Sequence, residues 1–182
     1  MDNVLQGALE LRQRGFAIHW LRPHDKAPIR AGWANETART AQQLMQEYKP
    51  GLNVGFRAGK WSVVDDREIC VLDVDIAGGP QYAAEAHAAA AQIMEGMPCT
   101  VISGSGVGRH YYLAFPIGTS PDCAATTLRQ SDIWVHKETK AVVPPQSENS
   151  KPAWVIELLS TGKNVVMPPS IHPITGETYK WI

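Results

Sequence analysis

The most constraining stretch is the apolar segment "CVLDVDIAGGP" (residues 70–80), in which two aspartates occupy alternate positions. Its density of Val, Leu and Ile predicts a buried β-strand. Side chains two residues apart on a strand share a face, so Asp73 and Asp75 project together, with Cα atoms roughly 6.5–7 Å apart. Their mutual repulsion would be relieved by a divalent cation. The alternative is a pair at the solvent-exposed face or end of a strand, without function.

The rest of the chain predicts a mixed α+β domain with helices packed on largely antiparallel sheets. We expect helices at 2–14, 37–48 and 81–95. We expect strands at 16–21, 52–56, 61–64, 68–76, 99–103, 109–115, 153–159 and 164–168, with a hairpin around the turn "DDR". Residues 117–152 show no strong period, and "PPQSENSKP" within them is typical of an exposed loop.

Composition excludes some classes of function but does not identify one. With 182 residues and 44% hydrophobic residues, the chain is long enough for one domain with a real core. A net charge of −1 means that nucleic acid could be bound only through local patches. The three cysteines form no CxxC pair, which favours reduced thiols and a cytoplasmic protein. No apolar run approaches the ~20 residues of a membrane span, so no membrane partner is expected.

A glycine-rich loop joins two predicted strands in "SGSGVGRHYYLAF". Small residues such as Ser105 and Gly106 allow backbone N–H groups to approach an anion, and Arg109 and His110 can add charge. The spacing is neither a Rossmann fingerprint nor a Walker loop, because the loop leads into a strand and no Gly-Lys-Ser/Thr follows. The alternative is an ordinary hairpin turn.

A single glutamate lies within the apolar segment "WVIELLSTGKNVVMPPSIHP". An ionised, unpaired Glu157 in the centre of such a strand would cost several kcal/mol, which a metal ion or a basic partner would offset. Lys163 follows in a turn, and Ser170 and His172 follow the rigid Pro-Pro. The alternative for Glu157 is an edge-strand carboxylate that faces water.

Taken in order, these segments resemble one family. "VLDVDI" resembles motif I of the archaeo-eukaryotic primase superfamily, "SGSGVGRHYYL" its motif II and "VIELL" its motif III. The closest resemblance is to the bifunctional primase–polymerase (Prim-Pol) domains of phages and plasmids, in which motif III continues into a segment like "PPSIHP". "KAPIRAGW" and "LNVGFRAGKWSVV" upstream are also similar. The resemblance covers roughly residues 15–115 and 153–182, and we treat residues 116–152 as an unmatched insertion or loop region.

The resemblance implies an RRM-like antiparallel catalytic sheet with packed helices, joined to a second small αβ unit, with the active site in the cleft between them. It implies a template-directed nucleotidyltransferase, a DNA primase or DNA polymerase that joins nucleoside triphosphates and releases pyrophosphate. The substrates would be a single-stranded or primed DNA template and dNTP or NTP. Residues 1–182 would form one catalytic domain, the N-terminal part of a longer DNA replication protein that carries a helicase region.

The resemblance also implies site residues. Asp73, Asp75 and Glu157 would be ligands of two Mg²⁺ or Mn²⁺ ions, which prefer hard oxygen donors. His110 would contact the phosphates of the incoming nucleotide and belong to the catalytic set. The remaining nucleotide-binding candidates are Ser105, Gly106, Arg109, Lys163, Ser170 and His172.

Two alternative functions stay open at this stage. A metal-dependent nuclease or phosphodiesterase could use the same three carboxylates but would need a base that activates water. A non-catalytic RRM-like nucleic-acid-binding module would need exposed aromatic residues on its sheet and has no reason to keep inward carboxylates.

Other residues have weaker signals. Arg22, Lys26, Arg30, Arg57, Lys60 and Arg109 are candidates for contacts with a template backbone. Trp33, beside a basic loop, could stack on a base, although packing is its more ordinary role. Cys123 and His136 could bind zinc, but they lack the spacing of a zinc motif. His19 is expected to be a surface or packing residue.

Overall fold

The computed structural model describes residues 3–182. The helices are α1 (Asn3–Gln13), α2 (Ala41–Glu47) and α3 (Ala83–Ile93), and a 3₁₀ turn at Pro80–Tyr82 precedes α3. The strands are β1 (Ala17–Leu21), β2 (Asn53–Arg57), β3 (Gly59–Val64), β4 (Arg67–Ile76), β5 (Val101–Ile102), β6 (Arg109–Pro116), β7 (Ala125–Gln130), β8 (Trp134–His136), β9 (Val142–Val143), β10 (Ser150–Pro152), β11 (Trp154–Leu159), β12 (Asn164–Val166) and β13 (Lys180–Trp181). The predicted α+β class is confirmed. None of the helices within residues 3–182 is long and apolar enough to cross a membrane.

All three predicted helices extend beyond the observed ones, and capping explains the difference in α2. The Thr40 side chain accepts a hydrogen bond from the backbone N–H of Gln43, and the Gln43 side chain accepts one from the backbone N–H of Thr40. This reciprocal capping box begins the helix at Ala41 rather than at residue 37. The 3₁₀ turn takes up the first residues of the predicted helix 81–95. Residue 2, where the first helix was predicted to begin, lies outside the described residues.

The main sheet has seven strands, and β4 lies in its interior. The order is β13-β5-β6-β4-β11-β7, with β3 also paired to the beginning of β4, and the pairings are antiparallel. The predicted hairpin is confirmed: β3 and β4 are joined by Asp65 and Asp66, both with positive φ. β4 is therefore bordered by β6 on one side and by β11 on the other.

Both faces of β4 are packed. A second sheet of order β1-β2-β12, with α1 and α2, forms a core in which Phe56 and Trp20 meet Val71 and Leu159 of the main sheet. On the opposite face, Leu72 and its neighbours pack against the alanines of α3. The face that carries the two aspartates is therefore itself buried over its first half, at Ile69 and Val71.

The region from 116 to 152 is more ordered than its sequence predicts. β7 pairs with β11 and forms an edge of the main sheet. β8, β9 and β10 form a third antiparallel sheet of order β10-β8-β9. The end of the predicted loop "PPQSENSKP" is strand β10. Strands of two or three residues are too short to leave a hydrophobic period in the sequence, which explains why they were not predicted.

Candidate active site

A row of polar side chains crosses four neighbouring strands of the main sheet. Asp73 on β4 is the register partner of His110 on β6 and of Glu157 on β11, and Glu157 is the partner of Thr127 on β7. Directly opposed residues share a face and bring their Cβ atoms within about 4.5–5.5 Å of each other. We call His110, Asp73, Glu157 and Thr127 the polar row. Chain segments far apart in sequence thus bring two carboxylates and an imidazole side by side.

The carboxylates of this row differ in exposure. The side chain of Asp73 is 26% exposed, and its Oδ1 lies 3.3 Å from Nε2 of His110. Asp75, two residues along the same face, is 50% exposed and lies beyond the row. Glu157 is half-buried, and its Oε1 accepts a hydrogen bond from Oγ1 of Thr127 at 3.5 Å.

The environment of Asp73 and His110 disfavours the charged form of each side chain. Burial, together with the nearby Asp75 and Glu157, raises the pKa of Asp73 to about 7 against the opposing effect of Lys26. Burial and the positive charge of Lys26 lower the pKa of His110 to about 4. His110 is therefore a neutral imidazole at pH 7, and its buried Nδ1 has no hydrogen-bond partner within the described protein.

A cleft of about 860 Å³ opens over Asp73, Asp75 and His110. Glu157 does not line it directly and lies one strand further, beside the exposed strand β7. Lysines from four separate segments reach the cleft: Lys26, Lys140, Lys151 and Lys163. The acidic floor is thus surrounded by cations.

Lys26 interacts electrostatically with both aspartates. Desolvation would lower its pKa, but Tyr179, Asp75 and Asp73 outweigh that effect and raise it. Lys163, in the turn between β11 and β12, also lines the cleft. Like Lys26, it acts to lower the pKa of Asp73.

The segment after the Pro-Pro forms another wall. His172 is buried, and its Nδ1 lies 3.3 Å from Oγ1 of Thr175, which leaves Nε2 as the ring nitrogen available to the cleft. Burial lowers the pKa of His172, again with a contribution from Lys26. Tyr179 lies between the two histidines, with ring centroids 5.9 Å from His110 and 6.0 Å from His172.

The glycine-rich loop is shaped by packing against that segment. A Cβ at Gly104 would lie 2.3 Å from the carbonyl oxygen of Glu177 and 2.6 Å from Cβ of His172, so only glycine allows this approach. Ser105 lines the cleft, and its Oγ accepts a hydrogen bond from the backbone N–H of Gly108 at 3.0 Å. The loop therefore packs closely against His172 and also places Ser105 on the cleft wall.

Three of the predicted nucleotide-binding residues are not brought to the cleft. Arg109 precedes His110 on β6 and so points to the opposite face, where its Nη1 donates to the carbonyl oxygens of Gly106 and Gly108. Gly106 occupies an exposed turn with φ +81°. Ser170 is buried, and its Oγ accepts from the backbone N–H and donates to the carbonyl oxygen of Val54, which fixes the loop to β2.

Other side chains reach the cleft without having been assigned to it. Lys26 and Trp33, predicted only as possible contacts with template, both line it. Trp33 also packs against His19, with ring centroids 5.1 Å apart. Tyr179, Lys140 and Lys151 carry no motif and could not be found from the sequence. Their position depends on how the end of the chain and the third sheet fold back.

The remaining basic candidates lie elsewhere. Arg57 is buried and lies over the ring of Trp61, 4.2 Å from its centroid. Arg30 belongs to an ion-pair network with Glu36 and Glu47. These interactions occupy their guanidinium groups within the protein.

The donor set suits a hard divalent cation, although its members are not drawn together as a finished cluster. Within residues 3–182, no three His, Cys, Asp or Glu side chains meet closely enough to hold a metal ion. The oxygens of Asp73, Asp75 and Glu157 are nevertheless the ligands that Mg²⁺ and Mn²⁺ prefer. Burial first, and then the neighbouring carboxylates, raise the pKa of Asp73, and a bound cation would favour its ionised form.

Fold and cleft together define a class: an α+β protein with carboxylates, an imidazole and surrounding cations, a set suited to phosphorylated substrates. The sequence model of the Prim-Pol family, described as bifunctional DNA primase/polymerase, N-terminal, matches residues 8–182. The chain therefore belongs to the Prim-Pol family, a family of DNA primase/polymerase domains that act on nucleic acid and nucleotides. The match includes residues 116–152, which the sequence resemblance had left out. A search of curated proteins finds none that matches the chain.

Proposed function

We propose that the chain is a template-directed nucleotidyltransferase that joins dNTP or NTP units on a primed or single-stranded DNA template, with release of pyrophosphate. The observation that carries this proposal is the alignment of His110, Asp73 and Glu157 across three strands, with Asp73 and His110 lining a cleft that four lysines reach. We interpret the main sheet with α3 as the RRM-like catalytic unit, and the β1-β2-β12 sheet with α1 and α2 as the second unit.

Asp73, Asp75 and Glu157 are the residues that would hold Mg²⁺ or Mn²⁺. Two such ions, when bound, supply Lewis-acid chemistry to an attacking 3′-hydroxyl and to a leaving pyrophosphate. Asp73 must lose its proton to act as a ligand, so its raised pKa makes cation binding release a proton near neutral pH. Glutamate reaches one methylene further than aspartate, which suits Glu157 to its position beside the cleft.

The histidines and lysines supply the phosphate contacts. His110, neutral at pH 7, can donate a hydrogen bond to a phosphate oxygen from Nε2, the ring nitrogen beside Asp73, because Nδ1 is buried. Lys163 and Lys26 place positive charge on the cleft wall, where triphosphate charge would accumulate. Ser105 and His172 line the same cleft and complete the polar surface that we assign to the nucleotide.

A primer-extension assay tests the proposal. A labelled primer–template with dNTPs and Mn²⁺ should be extended by the protein, and Asp73→Asn should lower the rate by about 1,000-fold, equivalent to about 4 kcal/mol. The matched control is Asp122→Asn, the same change at a surface aspartate with an 81% exposed side chain, which should extend normally.

The same assay separates the alternatives. Shortening of the labelled strand by the wild-type protein, lost in Asp73→Asn, would favour a nuclease. Binding without extension or shortening would favour a non-catalytic module. Full extension by Asp73→Asn would remove Asp73 from the catalytic set.

A further inference from the structure

The third sheet, β10-β8-β9, lies at the end of β4 that carries Asp75. Its base is attached to the beginning of β11, because the backbone N–H of Ala153 donates to the carbonyl oxygen of Ile133 at 2.8 Å. Trp154, which follows, is the register partner of Ile76 at the end of β4. This attachment holds the third sheet beside the mouth of the cleft.

Two lysines of this sheet line the cleft. Lys151 lies on β10, and its Nζ is 3.7 Å from Oδ2 of Asp75. Lys140 lies in the β8–β9 turn, where its Nζ also donates to the carbonyl oxygen of Lys137 at 2.5 Å. Lys26 and Lys163 contribute positive charge from other segments, so the third sheet adds a separate cationic wall.

Lys151 can exchange its ion pair with Asp75 for a contact with another anion. The two side chains are 37% and 50% exposed, and an ion pair in that setting contributes little stability. A phosphate that reached the cleft would offer Lys151 a more highly charged partner. A cation on Asp75 would release Lys151 for the same purpose.

We propose that Lys140 and Lys151 form a phosphate-binding wall for the site, an inference that rests on the proposed nucleotidyl transfer. The wall would recognise phosphates by charge, without reading base sequence. Its ligand is either the backbone of the DNA template and primer or the triphosphate of the nucleotide, since both present the same chemical group.

Binding measurements on charge-removal variants test the wall. The double variant Lys140→Met and Lys151→Met keeps the aliphatic stems and loses two charges. Lys137→Met is the matched control, because this exposed lysine belongs to the same β8–β9 turn but does not line the cleft. Fluorescence anisotropy with a labelled primer–template should follow affinity between about 50 and 200 mM salt, where phosphate contacts dominate.

Two outcomes support the proposal and identify the source of the phosphate. If the wall binds DNA, the double variant should lose roughly 10-fold in DNA affinity, and the salt slope should fall by about 0.7–0.9 per lysine. If it binds the triphosphate, dNTP affinity measured by calorimetry should fall by roughly 10-fold, with the DNA slope unchanged. Lys137→Met should change either affinity by less than about 2-fold.

The proposal is overturned if the double variant matches Lys137→Met in both measurements. Thermal melting of each variant checks folding, and the single variant Lys151→Met repeats the test if the double variant does not fold. Primer extension by the wild-type protein reports separately on the proposed function. Absence of extension there, with the binding difference between the variants intact, would count against nucleotidyl transfer and not against the wall.

Discussion

Two neighbouring rows of side chains cross the same four strands of the main sheet on the same face. One is the polar row of His110, Asp73, Glu157 and Thr127. The other lies two residues along each strand, consists of Tyr112, Val71, Leu159 and Ala125, and is called the apolar row. The strands and the pairing are the same, so the difference between the rows comes from what covers them.

The β1-β2-β12 sheet covers the apolar row and leaves the polar row open. Tyr112, Val71, Leu159 and Ala125 all contact the core that contains Phe56 and Trp20. The polar row lies beyond that core, where the cleft admits water and ligands to Asp73 and His110. One strand can therefore serve the core and a site on a single face, because the second sheet packs against Val71 while Asp73 lines the cleft.

The largest effect is expected when a carboxylate is moved into the apolar row. Val71→Asp would bury an unpaired carboxylate at a fully buried position, at a cost of roughly 4 kcal/mol or more. This is a large fraction of the free energy of unfolding of an ordinary domain. Urea denaturation or thermal melting would measure the loss.

Controls separate charge from packing at this position. Val71→Ala creates a small cavity and should cost only about 1–3 kcal/mol. Asp75→Asn, at a half-exposed position, should change stability by less than about 0.5 kcal/mol. A Val71→Asp protein as stable as wild type would show that the two rows are not separated by burial.

A smaller effect is expected from removing charge in the polar row. The pKa of Asp73 is about 7 in the folded protein, above its ordinary value near 3.8, so folding favours the protonated form. Stability should therefore fall as pH rises between these two values, and the loss should be complete above pH 7. Asp73→Asn lacks this loss and should be more stable than wild type by roughly 1–3 kcal/mol at about pH 8, allowing for partial exposure, and nearly equal at about pH 4.

Urea denaturation in the presence of a chelator measures this difference. Adding Mn²⁺ at the higher pH should stabilise wild type and leave Asp73→Asn unchanged, since ligand binding to the folded state raises its stability. A difference between the two proteins that does not vary with pH would contradict the raised pKa of Asp73.

The smallest effect is expected one residue from the polar row. Arg109→Met should change the KM for dNTP by less than about 2-fold, because its side chain lies on the opposite face of β6. The neighbouring His110→Ala should lower kcat/KM by about 10- to 100-fold through loss of a phosphate contact. Steady-state primer extension measures both. Equal losses in the two variants would show that Arg109 turns toward the cleft during the reaction.

Several elements were predictable from local patterns. The alternation in "LDVDI" placed Asp73 and Asp75 on one face, and the turn "DDR" predicted the β3–β4 hairpin. The apolar strand around Glu157 was also found. In these cases, the period of the residues and the turn chemistry act over fewer than about ten residues, so the sequence carries the information directly.

The placement of other residues depends on contacts between distant parts of the chain. Ser170 and His172 belong to the same short segment, yet Ser170 binds the backbone of β2 and only His172 lines the cleft. Arg109 and His110 are adjacent, and strand alternation sends them to opposite faces. Lys140 and Lys151 gave no signal, because Lys140 lies in a turn and the strand of Lys151 is too short to show a period.

The amino-acid sequence by itself determined that the two aspartates lie on an apolar strand and share one of its faces, since strand geometry follows from local backbone sterics. Only the tertiary structure decided that Glu157 and His110 flank Asp73, that the second sheet covers Val71 and not Asp73, and that lysines from four segments line the cleft over Asp73. Register and sheet packing depend on contacts between residues far apart in the chain, and those contacts leave no local pattern from which they could be read.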